Sequence, residues 1–417
     1  MTSSFLPYDA LVQTVAAIFA AHLPPEDAAH VARCLVEADA RGVASHGIGR
    51  IPVYTQRLRL GLVNPRPTLD VSGGGGATAH LDGDNGMGYV VARKAMDEAI
   101  ARAGIHGISL VLASHSNHFG MSATYVQQAL DAGLGAFVFT NAPPLMPVWG
   151  GSTPFLGTSP FAFGAPGDTP LLLDMATSVV AFGKIRRAAR MGESIPADWA
   201  LDAQGRATTD PHAAIDGVVL PMGGPKGSGL GLMMELLAGV MSGAAFGGEV
   251  RNQNADFTAP QNVGHAFVAF RPDVFLSPAE YRQRAAELVR RAKACPPAEG
   301  FTGISMPGER EDALARAARA EGLKVSEQDR DMLRKELELA GLPVAQPSLT
   351  VSAALRGAVG SVRQEGSRHF APRNAGVNHP SPAEVPPGSP PRLGLYSQPT
   401  QPSQPHCAAT SSITPNR

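Results

Sequence analysis

Cysteine is scarce. Cys34, Cys295 and Cys407 are the three in 417 residues, too few and too scattered for a disulfide framework or a thiolate zinc site. That usage fits a reducing compartment, so a cytoplasmic location is expected. Charge is sparse too, at 17% of residues, and balanced, with 35 Lys and Arg against 36 Asp and Glu. The basic excess of a nucleic-acid binder is missing, and no nucleic-acid partner is expected. The N-terminus has no basic leader, and its apolar residues follow helical spacing. The most apolar stretch, 229–248, carries Glu235 in mid-run and many glycines. It reads as a buried helix rather than a membrane span, so no membrane partner is expected. Three catalytic signatures are absent as well: the G-x-G-x-x-G dinucleotide turn, the G-K-[ST] phosphate loop and the H-E-x-x-H zinc helix.

What is present supports a folded enzyme-sized core. The apolar share is 44%, ample for burial and contrary to a chain disordered throughout. Composition changes near residue 346. From 347 onward the chain holds 12 of its 36 prolines and only two acidic residues, Glu365 and Glu384. This segment, 346–417, reads as a disordered Pro/Ser-rich tail. Upstream, short apolar runs at 77–81, 108–112, 136–140, 171–173 and 266–270 read as strands. Helical patterns at 8–22, 25–41, 89–103, 121–132, 228–242, 278–294, 309–321 and 327–340 separate or flank them. The alternation argues an α/β layered fold. The long stretches 141–168 and 186–226 read as irregular.

Several short segments carry candidate chemistry, each with a plain structural reading beside it. Ser45-His46-Gly47-Ile48-Gly49-Arg50 follows a helix and can converge on one small acid. The Arg50 guanidinium offers a planar fork for a carboxylate, or lies on the next helix as an ordinary surface group. His115-Ser116-Asn117-His118-Phe119-Gly120 follows an apolar strand, where α/β folds place ligands. A histidine there suits a general acid or base. H-x-x-H also admits a metal pair, though no Cys or carboxylate stands at ligand spacing. Asp174-Met175-Ala176 ends another strand, and its carboxylate suits a ribose hydroxyl, a histidine or a helix cap. Lys226, among Gly223, Gly224, Gly227 and Gly229, suits an anionic ligand or a solvated turn.

Taken together, these segments resemble the malate/L-lactate dehydrogenase family of NAD(P)-dependent oxidoreductases that lack the Rossmann fold. The resemblance rests on RGVASHGIGRIPVY (41–54), DGDNGMG (82–88), HSNHFG (115–120) and LGTSPFAFGAP (156–166). It continues through LLDMATSVVAFGKI (172–185), IPADWALDAQGRATTDP (195–211), LPMGGPKGSGLGLMMELLAGVMSG (220–243) and MPGERE (306–311). These motifs keep the family's order over roughly residues 5–342. The resemblance implies a layered mixed-sheet α/β core, with a helical domain built from both chain ends. It divides the chain into a helical part (1–75), an NAD(P)-binding core (76–275), C-terminal helices packing on the N-terminal part (276–345) and the tail. It implies hydride transfer between NAD or NADP and C2 of a small 2-hydroxy or 2-keto acid, usually in a homodimer. His118 takes the family's proton-transfer position, and Ser45, His46 and Arg50 the substrate side. Asp174, Met175, Ala176 and Lys226 take cofactor-contacting positions, as does Ala142, where only a main-chain or apolar contact is expected. Ala44 stands where the family often has Asp, and Ser159 where it often has Asn. Two other expectations are carried forward. One is reduction of a cyclic imine acid of the piperideine- or pyrroline-2-carboxylate kind. The other, from a different class, is a metal-dependent hydrolase or lyase built on His46, His115 and His118.

Overall fold

In a computed structural model, which describes residues 4–343, a seven-stranded mixed sheet carries the centre of the fold. The tail expected from residue 346 onward lies outside the described residues. The chain opens with strand β1 (Ser4–Leu6), then helices α1 (Tyr8–Ala20), α2 (Pro25–Ala40) and α3 (Ile51–Arg59). Leu11, Val15, Ile18 and Phe19 line one side of α1 and are fully buried, the 3.6-residue period at work. Pro25 begins α2 where its missing N–H costs nothing, and Glu26 and Asp27 fill the first turn.

The sheet follows. Strands β2 (Asp70–Gly75) and β3 (Thr78–Asp82) form a hairpin; α4 (Gly88–His106) then crosses to β4 (Ile108–Ser116). β3 and β4 run parallel, whereas the other neighbouring pairs in this sheet are antiparallel. After α5 (Ala123–Asp131) come β5 (Gly135–Thr140), β6 (Phe161–Ala165) and β7 (Leu171–Met175). A peripheral module holds α6 (Phe182–Met191), β8 (Ala200–Leu201), α7 (Pro211–Ile215) and β9 (Val218–Val219). Helix α8 (Pro225–Met234) runs into a π-helical turn, Glu235–Val240, and β10 (Val263–Phe270) enters the sheet between β4 and β5. Helices α9 (Pro278–Lys293) and α10 (Glu309–Glu321), strand β11 (Leu323–Val325) and helix α11 (Glu327–Leu339) complete the described chain.

Two large cores result. One lies between the sheet and helices α4 and α5, around Val91, Met96, Val111, Tyr125 and Phe267. The other joins the two ends of the described chain. Residues of α1 and α2 pack with Ala315 of α10 and Leu333 and Leu337 of α11, and β1 pairs antiparallel with β11. Thr55 of α3 also donates to the buried Glu336 carboxylate at 2.8 Å.

Several expectations are corrected. α4 runs through Gly104 and ends at Gly107. β4 extends to Ser116 because its polar end is paired: His80 Nε2 meets Ser114 Oγ at 3.0 Å and His265 Nε2 meets Ser116 Oγ at 2.9 Å. β6 lies inside the stretch read as irregular. Its Gly164 faces Val126 so closely that a Cβ would come within 2.3 Å of Cγ1, so a turn-like residue is a packing requirement here. The stretch 186–226 contains the end of α6 and all of β8, α7 and β9. Asp210 caps α7 by accepting the His212 N–H at 2.9 Å. The 229–248 stretch is buried on one side only. Met234, Ala238 and Gly239 pack inward, whereas Leu232, Met233, Leu236, Val240 and Met241 are exposed. Among the described residues no helix is long and apolar enough to cross a membrane.

Candidate active site

A cavity of about 660 Å³ opens where β4, β5 and β7 end beside the turn after α2. Its wall includes His46, His118, Asn141, Ala142, Asp174, Met175 and Ala176. Six of the nine sequence-derived site residues therefore meet at one place: His46, His118, Ala142, Asp174, Met175 and Ala176. Ser45 and Arg50 adjoin His46 but are not among the residues lining the cavity. Arg50 Nε donates to the Ser45 carbonyl at 2.7 Å and Nη1 to Asn254 Oδ1 at 3.2 Å. Ser45 Oγ lies 2.9 Å from His46 Nδ1. Lys226 is exposed at the start of α8 and is absent from the cavity wall. Its turn still packs against Thr177, since Met222 N–H donates to the Thr177 carbonyl at 2.9 Å. That places the turn preceding Lys226 against Thr177, the residue after the Asp174–Ala176 segment.

His118 is the best-organised polar group in the cavity. Its ring stacks on His46 with centroids 5.4 Å apart. Nδ1 lies 2.7 Å from Tyr54 Oη and receives the Gly120 N–H at 3.2 Å. The Gly120 N–H favours the tautomer with its proton on Nε2; moving the proton to Nδ1 breaks that bond, and only the Tyr54 contact survives, with its direction reversed. The phenol donates when the imidazole proton is on Nε2 and accepts when it is on Nδ1. The His118 main-chain N–H donates to Gln261 Oε1 at 3.1 Å. Beneath it, Asn117 is buried, and its Nδ2 lies within 3.1 Å of Asn85 O, Asn85 Oδ1 and Gly86 O. Asp84 and Asn85 hold left-handed φ values of 46° and 53° in that turn, a conformation Asn and Asp tolerate better than most residues. Below Phe119, His265 stacks at 4.5 Å and bridges Ser116 and Thr140.

Electrostatics keep these histidines neutral. Burial drives His118 well below 6.5, reinforced by His46, Arg50 and His265. Burial, then Arg50, pushes His46 down to about 4, and burial takes His265 to about 3. Asp174 moves the other way, up to about 6, because it is buried. Its Oδ2 accepts the Ala123 N–H at 2.8 Å. It therefore caps α5 from a neighbouring strand while also lining the cavity.

The metal expectation finds no assembled donor set. His115 turns away with φ 47° and pairs with Asp82 at 3.1 Å, apart from His46 and His118. Among the described residues no three His, Cys, Asp or Glu side chains are grouped to hold a metal ion.

The cavity fits a dinucleotide's needs. Its volume falls within the range of cofactor pockets, and Ser122 Oγ on its wall is buried without a hydrogen-bond partner. Ser305, Met306, Pro307, Gly308, Arg310 and Arg41 also line it. Ser159 stands at φ 24° with Oγ unpartnered, in the place where the resembled family often has Asn. Tyr54, Asn254 and Gln261 are polar partners that the sequence reading missed. Tyr54 had a signal, four residues after Arg50 on the same helix face. The segment 251–262 carried none.

A mixed sheet without a glycine-rich Rossmann turn, with a neutral histidine pair lining a cofactor-sized cavity, is consistent with a nicotinamide oxidoreductase outside the Rossmann class. The comparisons agree. The family model described as "Malate/L-lactate dehydrogenase" matches residues 6–334. L-sulfolactate dehydrogenase of Methanocaldococcus jannaschii is 38% identical over 323 residues, covering 77% of this chain and 93% of that protein. Ureidoglycolate dehydrogenase (NAD(+)) of Escherichia coli O157:H7 is 39% identical over 307 residues, covering 73% of this chain and 87% of the other. The solved structure of the M. jannaschii sulfolactate dehydrogenase superposes with a TM-score of 0.77 at 36% identity, covering 81% of this chain and 98% of that one. The chain belongs to the malate/L-lactate dehydrogenase family and is an NAD(P)-dependent oxidoreductase.

Proposed function

We propose that this enzyme interconverts a small 2-hydroxy acid and the corresponding 2-keto acid, with His118 moving the proton. The observation that carries this reading is the placement of His118. It stacks on His46, bonds to Tyr54 and lines the same cavity as Ala142 and Asp174–Ala176. Main-chain and side-chain groups at Ala142, Asp174, Met175 and Ala176, with Lys226, would hold the dinucleotide. The bound dinucleotide supplies or takes the hydride. Arg50 keeps one side of its guanidinium on Ser45 and Asn254 and presents the rest to the substrate carboxylate. His46 and Ser45 orient the substrate between Arg50 and His118. In oxidation, neutral His118 takes the hydroxyl proton at Nε2 while Nδ1–H donates to Tyr54 Oη. In reduction the imidazolium returns that proton to the developing alkoxide.

The exposed apolar face of Leu232, Leu236 and Val240, continued by Met233 and Met241, supports a homodimer built on α8 and the π turn, since exposed patches of this kind mark contact surfaces. Cysteine usage supports a cytoplasmic location, with Cys34 and Cys295 both unpaired.

The test is nicotinamide absorbance with purified enzyme, NADH and NADPH separately, against pyruvate, oxaloacetate, a sulfonated keto acid and glyoxylate. Turnover of a keto acid alone is expected. Turnover only when an amine is added would transfer the reading to imine reduction. Silence with every pair would overturn it.

A further inference from the structure

Arg57 is absent from the cavity wall, yet it is among the largest fully buried side chains, only 1% exposed. Arg50, Tyr54 and Arg57 are spaced i, i+4 and i+7, which puts them on one side of α3 and its leading turn. The first two reach Ser45, Asn254 and His118. The third turns to the loop 251–262. Its Nη1 donates to the Asp256 carbonyl at 2.7 Å and Nη2 to the Ala259 carbonyl at 3.0 Å. The guanidinium also lies 5.8 Å from the centre of the Phe257 ring. Desolvating a cation is costly, and here the two main-chain carbonyls offset part of that cost.

The placement of these carbonyls governs two contacts of the active site. The same loop delivers Asn254 Oδ1 to Arg50 and Gln261 Oε1 to the His118 N–H. It is braced internally. Asp256 accepts from Arg251 and Thr258, Asn252 Oδ1 accepts the Asn254 N–H, and Gln261 Nε2 donates to the Arg251 carbonyl. Displacing it at Asp256 and Ala259 is therefore expected to shift Asn254 and Gln261.

We propose that Arg57 is a positioning residue, fixing the loop 251–262 so that Arg50 and His118 hold one spacing across the substrate. This rests on the hydride-transfer reading above. Lysine retains the charge but cannot span both carbonyls in a planar fork, so Arg57→Lys separates geometry from charge. The full-length Arg57→Lys enzyme is compared with wild type by keto-acid kinetics, dinucleotide binding by nicotinamide fluorescence, melting temperature, and amide hydrogen exchange over 251–262. A displacement of the order of 1 Å costs roughly 100-fold in rate. The expected result is a fall in kcat/KM of about 10–100-fold, with a raised keto-acid KM and faster exchange across the loop. Dinucleotide affinity stays close to wild type, and melting falls by only a few degrees. Unchanged exchange across 251–262 would overturn the proposal, and so would lowered melting with kcat and KM both retained. If wild type itself turns over no keto acid, the hydride-transfer reading fails. Loop exchange, read without activity, then still decides whether Arg57 holds this segment.

Discussion

Replacing Tyr54 by Phe removes one oxygen atom and tests the proton path directly. The ring stays in the core, where it meets Tyr89 edge-on at 5.8 Å, so packing is retained. Two contacts of that oxygen are lost: the 2.7 Å contact with His118 Nδ1 and a longer one, 3.4 Å, with Tyr89 Oη. Gly120 N–H still points at Nδ1 from 3.2 Å. With Tyr54 Oη gone, Nδ1 keeps a donor but has no acceptor. The tautomer with its proton on Nε2 is then favoured, and both the proton-accepting tautomer and the imidazolium lose a partner. A hydrogen bond to a charged group contributes about 1.5–3 kcal/mol. At 1.36 kcal/mol per decade, kcat should fall about 10- to 150-fold. Steady-state turnover in both directions measures it, with melting temperature and dinucleotide affinity as controls. A Tyr54→Phe enzyme whose kcat stays within a factor of two of wild type would refute the role given to this bond.

Three other outcomes are expected. Because His118 is held neutral well below 6.5, chiefly by burial, kcat/KM for hydroxy-acid oxidation should stay flat from about pH 8 to 6, whereas that for keto-acid reduction rises close to tenfold per unit as pH falls; an oxidation limb centred near 6.5 would contradict this. Burial pushes Asp39 from 3.8 to about 7 while it accepts the Ile48 N–H at 2.8 Å. The folded state thus binds this proton more tightly than the unfolded one, and the associated stability is lost as pH rises from about 4 to 7. Asp39→Asn keeps an acceptor without the charge, so its melting temperature should gain on wild type between pH 5 and pH 8, and an equal difference at both would count against it. A Cβ at Gly88 would lie 2.0 Å from the Asn117 carbonyl and 2.5 Å from that of His118. Main chain cannot yield as a flexible side chain can, so Gly88→Ala should cost about 1–3 kcal/mol of stability in denaturant titration and lower kcat as well.

Long periodic elements were legible in the sequence, and paired polar ones were not. Helices α1, α2, α10 and α11 declare themselves through a continuous apolar stripe, and Ser277-Pro-Ala-Glu280 declares the start of α9 through its reciprocal cap. β4 hid its last residues because Ser114 and Ser116 are buried against His80 and His265, partners from distant strands. β6 hid because Gly164 reads as a turn until the helix above it is known. In the site, residues within one motif were found, and so was the convergence of His118 with Asp174–Ala176. Residues whose role comes from a neighbour were missed. Gln261 and Asn254 look like ordinary loop polarity, and only the fold brings them to His118 and Arg50. The exposed face of α8 was also hidden, because a run apolar on every side does not reveal which side stays uncovered.

The pairing of the two ends of the described chain sets an order of events during synthesis. Thr55 waits for Glu336, 281 residues later, and β1 waits for β11. At the roughly 5–20 residues per second of translation, the first three helices stand about 15–55 s without their partners. Arg50 and Tyr54 ride on that waiting segment. During synthesis the sheet can therefore fold before the segment that carries Arg50 and Tyr54 is fixed. Until α11 emerges, the apolar stripe of α1 and α2 is the surface a chaperone would meet.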